Sequence, residues 1–593
     1  MDAHLRTLFE EERRELLETL GPVSGLELAG APTDPDVLRA ALAQVFGYDD
    51  FRAGQLDVIL PLMRGESVLG LMPTGAGKSI CFQLPAALLP GATVVISPLI
   101  ALMKDQVDGL PPHLYRRATL INSALEPGEA DRRLEAVARG EVSLLYAAPE
   151  RLRQRSFVRA LQRRGVSLFV IDEAHCVSLW GHDFRPDYFF IGQVLRDLGR
   201  PTVLALTATA TPEMQDDIGR QLETRFQKVN LGTFRPNLKL SVLRLSGEAD
   251  KWNALLRLLK EEKGPAILYV DRRKLAEDLS ERLRGEGIPA EAYHAGLGRD
   301  ARDAAQSRFM LGEVRVIAAT VAFGMGVDKA DVRTVIHFNL PRSLESYYQE
   351  AGRAGRDGLP ARCVLLYTPN DKGNLTRRTN GDRLQANEVL SLQRLLARRL
   401  RAGGAAVSVE ELEREWTSGA GSGGTRLRVA VSLLQGIGAV ERGYDLPASV
   451  WVALRKDDPG RPSLERGGGE GAAGGASALP PFERFVAALD LERRGALSLP
   501  AAQAATAAGV PLEALETVLL DWEEAGWIRF RCGGRGMGLR PGPQADLQAE
   551  VGRLLKRMEE VDGRRLELLS GYLAAGECRQ GYVSRYFGRE LEE

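Results

Sequence analysis

Two blocks of short apolar runs, each run followed by a helix-length pattern, constrain this chain more than any other feature. The first block holds Val68–Leu71, Thr93–Ile96, Leu144–Tyr146, Leu168–Ile171 and Val203–Leu206. The second holds Ala266–Val270, Ala290–Tyr293, Val314–Ala318, Thr334–Phe338 and Cys363–Tyr367. Runs with so little polar alternation suit strands buried on both faces, which a parallel sheet between helices provides. The pattern predicts two tandem α/β lobes, at 45–235 and 236–370. In such sheets ligands gather at the carboxyl ends of the strands.

The chain has 593 residues, enough for three or four domains, and a net charge of −1. No global basic field marks it for nucleic acid, so any such partner must be met by local patches. Its five cysteines, Cys81, Cys176, Cys363, Cys532 and Cys578, form no C-x-x-C pair, which fits a reducing compartment. No signal pattern opens the sequence, and Pro90, Gly91 and Pro98 break the best apolar run. The expectation is a cytoplasmic protein without membrane contact.

The suspicious residues sit where the strands end. After Val68–Leu71 comes Met72-Pro73-Thr74-Gly75-Ala76-Gly77-Lys78-Ser79, a turn into a helix. Glycines there let backbone N–H groups close around phosphate oxygens at a helix N-terminus. Lys78 can reach the outer phosphates and Ser79 can hold magnesium, although Met72 stands where the usual pattern has its first glycine. Upstream, Tyr48 and Arg52 could stack on a planar base and Gln55 bond its edge; a helix start with surface polar groups is the plainer reading. Asp172-Glu173-Ala174-His175 follows the Leu168–Ile171 run. Asp172 can serve a metal opposite Ser79, and Glu173 can polarise an attacking water. Trp180, His182, Phe184 and Arg185 lie in a stretch with no period, where aromatics and arginine could stack on unpaired bases. Arg353 and Arg356, three apart among small residues, suit the charge of a transferring phosphoryl group.

Together and in this order these motifs resemble a superfamily-2 helicase core, and more narrowly the RecQ family of DNA helicases, from about Phe46 to Tyr367. The narrow likeness rests on Phe46–Gln55, on Trp180–Pro186 directly after Asp172–His175, and on Gln349–Gly358. The Met-Pro-Thr-Gly form of the phosphate loop is normal in that group. The resemblance implies two RecA-like lobes. It implies that Tyr48, Arg52 and Gln55 hold adenine, and that Thr74, Gly75, Ala76, Gly77, Lys78 and Ser79 hold the phosphates of ATP. Ser79 and Asp172 would hold Mg2+, and Glu173 would be the general base. Asp328 would lie near the ribose. Gln349, Arg353 and Arg356 would complete the site, one arginine as the finger. Trp180 to Arg185 would sense single-stranded DNA, Thr207 and Thr209 would couple the lobes, and Ser97–Gln106 and Thr320–Gly326 would track the DNA backbone. The implied activity is 3′-to-5′ unwinding, in repair or recombination.

Outside the lobes the reading rests on patterns. Residues 1–44 read as a helical arm, with an amphipathic helix at 5–20. Two helix–helix–helix–hairpin units, each winged-helix-like, occupy 385–455 and 481–542, joined by a Gly-rich linker at 456–480. The hairpins are expected at Ala439–Arg442 with Val450–Leu454 around Tyr444, and at Trp527–Arg531 with Met537–Arg540 around Gly533-Gly534. Arg426 and Arg428 in the first unit are candidate duplex contacts, and Tyr444 a candidate strand-separating tip. The third helix of the second unit is acidic, so that unit is expected to pack, or to use its Arg529–Arg535 wing. Residues 543–593 resemble the start of a RecQ zinc module, with Cys578 before Tyr586-Phe587-Gly588. One cysteine cannot make a four-ligand zinc site, so zinc is not expected; the displaced order is similar to the RqlH-type branch. The expected function is an ATP- and Mg2+-dependent DNA helicase acting on single-stranded and tailed duplex DNA. The alternatives are a DNA-binding protein using ATP as a switch, and an RNA helicase.

Overall fold

A computed structural model describes residues 32–122, 125–181, 183–324, 329–401, 406–417, 424–455, 481–543 and 547–589. The helix expected at 5–20, the linker 456–480, His182 and Asp328 lie outside the described residues. The chain forms two compact units. One takes in the segments up to Pro149, Leu161–Arg383 and Arg557 onward; the other takes in Glu150–Ala160 and Leu384–Lys556.

The first unit contains both lobes. Strands β1 (Val68–Leu71), β2 (Ala92–Ile96), β3 (Ala118–Ile121), β4 (Leu144–Ala147), β5 (Val166–Ile171), β6 (Thr202–Thr207) and β7 (Gln227–Asn230) form a parallel sheet in the order β3-β4-β2-β5-β6-β1-β7. Every residue of β1, β2 and β4 is buried, as continuous apolar runs require. The second sheet is also parallel: β8 (Leu238–Arg244), β9 (Ala266–Tyr269), β10 (Ala290–Tyr293), β11 (Val316–Ala319), β12 (Thr334–His337) and β13 (Ala361–Tyr367), ordered β10-β11-β9-β12-β13-β8. The runs read from sequence are all strands. The additional β3, β7 and β8 are partly exposed and carry weaker apolar signals.

The helices Leu547–Ala574 and Arg579–Tyr586 put Leu569, Tyr572, Val583 and Phe587 into the core of the second lobe, against Tyr347 and Tyr348. The stretch resembling the opening of a zinc module is thus part of the lobe's packing, with Cys578 exposed at a helix start.

The second unit departs from the expected pair of hairpins. Its helices follow the reading closely, at Ala386–Arg401, Val409–Thr417, Thr425–Gly436, Pro481–Ala488, Ala501–Ala508 and Leu512–Glu524. Its strands are β14 (Ala406–Val407), β15 (Val440–Arg442), β16 (Leu446–Leu454), β17 (Ala496–Pro500) and β18 (Ile528–Pro541). β15 does not pair with β16; both pair antiparallel with β18, and β16 also pairs with β17. Segments on either side of residues 456–480 therefore share one sheet. Gly533-Gly534 makes no hairpin turn, because β18 runs through it for 14 residues. The glycines of β18 admit close neighbours instead: a Cβ on Gly538 would strike the Tyr444 carbonyl, and one on Gly536 would lie 3.0 Å from the Val407 backbone.

Candidate active site

The phosphate loop leaves the end of β1 and turns into the helix Ile80–Leu88. Met72 is fully buried, its N–H donating to the Thr207 carbonyl at 3.0 Å, so it continues the core rather than facing a ligand. Gly75 and Gly77 have φ of +87° and +76°, which other residues adopt only under strain. At Gly77 space matters too, since a Cβ would sit 2.5 Å from the Gln55 amide nitrogen.

Gln55 holds the loop from behind. Its Nε2 donates to the Gly77 carbonyl at 2.9 Å, and its Oε1 accepts from the Arg52 N–H at 2.9 Å. The amide faces the loop, rather than standing free for a base edge as the sequence suggested. The Arg52 guanidinium donates to the Gly75 carbonyl at 2.9 Å. Tyr48 is 54% exposed and lies parallel to Phe46 at 6.3 Å, leaving an open ring face beside the loop's anchor.

Asp172 and Glu173 follow β5, next to the loop. The Asp172 carboxylate accepts from Ser97 Oγ at 3.3 Å and from the Glu173 N–H at 3.0 Å. Burial and the neighbouring Glu173 charge push its pKa up to about 6, against the pull of Lys78. Such a carboxylate, among oxygen donors and beside a lysine, suits a hard cation. Glu173 has φ of +50°, a strained position for a residue with a Cβ. His175 Nδ1 lies 3.3 Å from its carboxylate and 3.0 Å from Thr207 Oγ1, which also accepts from the Thr209 N–H. The ends of β5 and β6 are thereby joined through buried polar groups.

The second lobe supplies the opposite wall. Gln349, Arg353 and Arg356 line one cleft with Arg52, Thr74, Gly75, Gly77, Lys78, Ser79, Asp172 and Glu173, with a cavity volume of about 390 Å3. The small residues do what their size suggested: a Cβ on Gly352 would come within 3.3 Å of Thr74 Oγ1. Arg353 is 5% exposed, with no hydrogen-bond partner at Nε.

Three remote residues hold this wall, and the sequence reading missed them. Arg235, between β7 and β8, donates to the carbonyls of Gly352 at 2.8 Å, Ala354 at 3.0 Å and Gly355 at 2.6 Å. Asn237 donates to Gly355 and Leu359. Gln580 of the last helix grips the chain on both sides of Arg235, accepting from its N–H at 2.9 Å and donating to its carbonyl at 2.7 Å. The available signal was a polar Arg-Pro-Asn where the spacing puts only a connection.

The aromatic stretch after His175 is tied down at several points. Arg185 donates to the Pro98 carbonyl at 3.2 Å, and Phe184 packs edge-on against Phe189. Trp180 lies under the Arg557 guanidinium at 4.5 Å, and its carbonyl accepts from Arg565. Arg565 also faces Glu345 at 3.6 Å, and Tyr586 donates to that carboxylate at 2.7 Å. Glu345 opens the helix Leu344–Ala351, which leads into Arg353. One buried polar junction therefore meets the aromatic stretch, the helix leading into Arg353 and the C-terminal helices.

The candidate contacts in the second unit fare differently. Tyr444 is only 8% exposed, with the Arg155 guanidinium 4.4 Å over its ring, so it cannot serve as a strand-separating tip. The Arg426 guanidinium is paired with Glu388 at 2.8 Å, which leaves little charge for a phosphate. Arg428 is partly buried on the same helix. Arg535, at the end of the expected wing, is bound to the buried Glu516 at 2.7 and 2.9 Å.

Two family models match. DEAD/DEAH box helicase covers residues 52–218, and helicase conserved C-terminal domain covers residues 250–358. The ATP-dependent DNA helicase RecQ of Bacillus subtilis is 46% identical over 336 residues, 56% of this chain and 56% of that protein. The probable ATP-dependent DNA helicase RecS of the same organism is 43% identical over 336 residues, 56% of this chain and 67% of that protein. The chain thus spans about half to two thirds of the length of these curated relatives. Among solved structures, Mycobacterium smegmatis helicase Lhr bound to ssDNA and AMP-PNP aligns with a TM-score of 0.47 and 21% identity, over 69% of this chain and 58% of that one.

Proposed function

This chain belongs to the RecQ family of helicases, and from that premise we propose that it is an ATP-dependent DNA helicase. It hydrolyses ATP to move 3′ to 5′ along single-stranded DNA and to unwind tailed duplexes, serving repair or recombination in the cytoplasm. The observation that carries the reading is the cleft in which Lys78, Ser79, Asp172 and Glu173 of one lobe face Arg353 and Arg356 of the other.

In this reading the loop N–H groups and Lys78 take the phosphates of ATP, and the exposed face of Tyr48 takes the adenine. Ser79 and Asp172 would hold Mg2+, which would offset phosphate charge. Glu173 orients the attacking water and draws off its proton. Arg353 and Arg356 neutralise the charge on the γ-phosphoryl group as the bond breaks. When the phosphate formed by hydrolysis leaves the cleft, the arginines lose their anionic partner, the lobes part, and the strand advances. Trp180, Phe184 and Arg185 meet single-stranded DNA. Arg565 passes their position to Glu345, and so to the helix that leads into the arginine turn. His182 and Asp328 keep the roles the family resemblance implies.

No described helix is long and apolar enough to cross a membrane. Strand displacement on 3′-tailed DNA and RNA duplexes tests the proposal. ATP-driven separation of the DNA duplex is expected. Separation of RNA alone favours an RNA helicase, and hydrolysis-independent binding without separation favours an ATP switch.

A further inference from the structure

Where β16, β17 and the first half of β18 pair, the sheet of the second unit has, among the described residues, one covered face and one exposed face. On β16, β17 and β18, Val450, Val452, Leu499 and Ile528 are buried in a core with Phe485, Leu515 and Leu519. Strand alternation sends the intervening residues the other way. The register gives three outward rungs: Pro500–Ser449–Gly533, Ser498–Trp451–Arg531 and Ala496–Ala453–Arg529.

The composition of this face is unusual for the chain. Its nine positions hold no carboxylate, although the sequence has 79 acidic residues. Its only large side chains are Trp451, Arg529 and Arg531, and all three are exposed. Trp451 is 38% exposed at the centre, with the Arg531 guanidinium 5.8 Å from its ring. The short side chains of Ser449, Ala453 and Ser498, and the bare backbone at Gly533, leave the indole standing above its neighbours on this face. The other arginines of β18, and Arg159 of the same unit, are matched to acids: Arg535 to Glu516, Arg540 to Glu513, and Arg159 to Asp521 and Glu524. Among the described residues Arg529 and Arg531 make no ion pair.

We propose that this open sheet face, centred on Trp451 and flanked by Arg529 and Arg531, binds single-stranded nucleic acid. A base stacks flat on the indole, and the two guanidiniums take the adjoining phosphates. An acidic peptide would satisfy the arginines, but an extended chain gains more from a groove than from an isolated flat ring. The choice of DNA as the strand rests on the proposed helicase function.

The test uses the full chain and two fluorescent oligothymidylates, a short one of roughly 12 nucleotides and a long one of roughly 40. Trp451→Ala is expected to weaken binding of the long probe about tenfold, the size of one lost stacking contact. Trp451→Phe should restore most of it, which a merely structural loss would not allow. The double variant Arg529→Ala/Arg531→Ala should weaken it as well and flatten its salt dependence by about 1.4 in log–log slope. ATPase stimulation by the short probe should stay unchanged in all of them. Long-probe affinity equal to wild type in Trp451→Ala and in the double arginine variant overturns the proposal. So does a labelled oligoglutamate that binds the wild-type chain and is lost in the same variants, which assigns the face to a protein partner. Failure of either probe to stimulate the wild-type ATPase overturns the helicase reading alone, because the long-probe comparison is read without ATP.

Discussion

The two walls of the inter-lobe cleft are built by different means. The first lobe holds its wall with near neighbours: Gln55 and Arg52 brace the phosphate loop about twenty residues on, and Ser97 braces Asp172 from the adjacent strand end. The second lobe delegates. Arg353 and Arg356 sit on a turn whose carbonyls are gripped by Arg235, itself gripped by Gln580, while Arg565 holds Glu345 at the start of the preceding helix. One wall is preformed by its own lobe; the other depends on the lobe connection and the C-terminal helices. Under the proposed function the second wall would engage and release once per cycle, and holding points that other parts of the chain can move would serve that.

This contrast can be broken experimentally, starting with the largest effect. Arg353→Ala and Arg356→Ala should each impair turnover, and the finger among them should cost about 10³-fold in kcat. If neither changes kcat, the second wall is not catalytic. Glu173→Gln should lower DNA-stimulated turnover about 10²-fold while ATP still binds, since only the base is removed; full turnover would mean another group takes the proton. Arg235→Ala should lower kcat roughly tenfold at nearly constant KM for ATP, because it displaces groups that act in the transition state. A matching rise in KM instead would place Arg235 in ground-state binding. Arg565→Ala should cut the ratio of DNA-stimulated to basal ATPase by roughly two- to thirtyfold, with basal turnover retained. An unchanged ratio would leave that junction as packing only.

The smallest effect sharpens the first wall. Burial and the Glu173 charge push the Asp172 pKa up to about 6, so protons would compete with Mg2+ for its carboxylate. The sign follows from a raised carboxylate pKa: the charged form grows as pH rises through 6. Apparent Mg2+ affinity should therefore fall about fourfold between pH 7.5 and pH 5.5. A flat profile would separate Asp172 from the metal.

The first wall was almost fully legible in the sequence, because its parts are short motifs at strand ends. Apolar runs marked β1, β2, β5 and β6, and the chemistry follows each within a few residues. The arginines of the second wall were legible by a different signal, two guanidiniums three residues apart among small residues. Arg235, Gln580 and Arg565 were not, since each acts on groups more than a hundred residues away and carries no local pattern. Gln55 was visible as a polar residue near the loop, yet its direction was not. Tyr444 misled because a tyrosine in a turn looks exposed until Arg155 is seen to cover it. In the second unit the helices declared themselves by period, but strand partners cannot be read from period. Glycine pairs such as Gly533-Gly534 signal turns and close strand approaches alike.

The shared strand β18 has a consequence for how the chain reaches its fold. Ala406 finds its partner at Gly538, Val440 at Pro541 and Leu454 at Ile528. A chain emerging from its amino end thus makes β14, β15 and β16 long before the strand that pairs with all three exists. Closing such long loops is entropically costly and slow, and unpaired strand edges invite other chains meanwhile. Truncation within β18 therefore removes more than the last residues: it strips strand partners from segments that lie far back in the chain, in β14, β15 and β16.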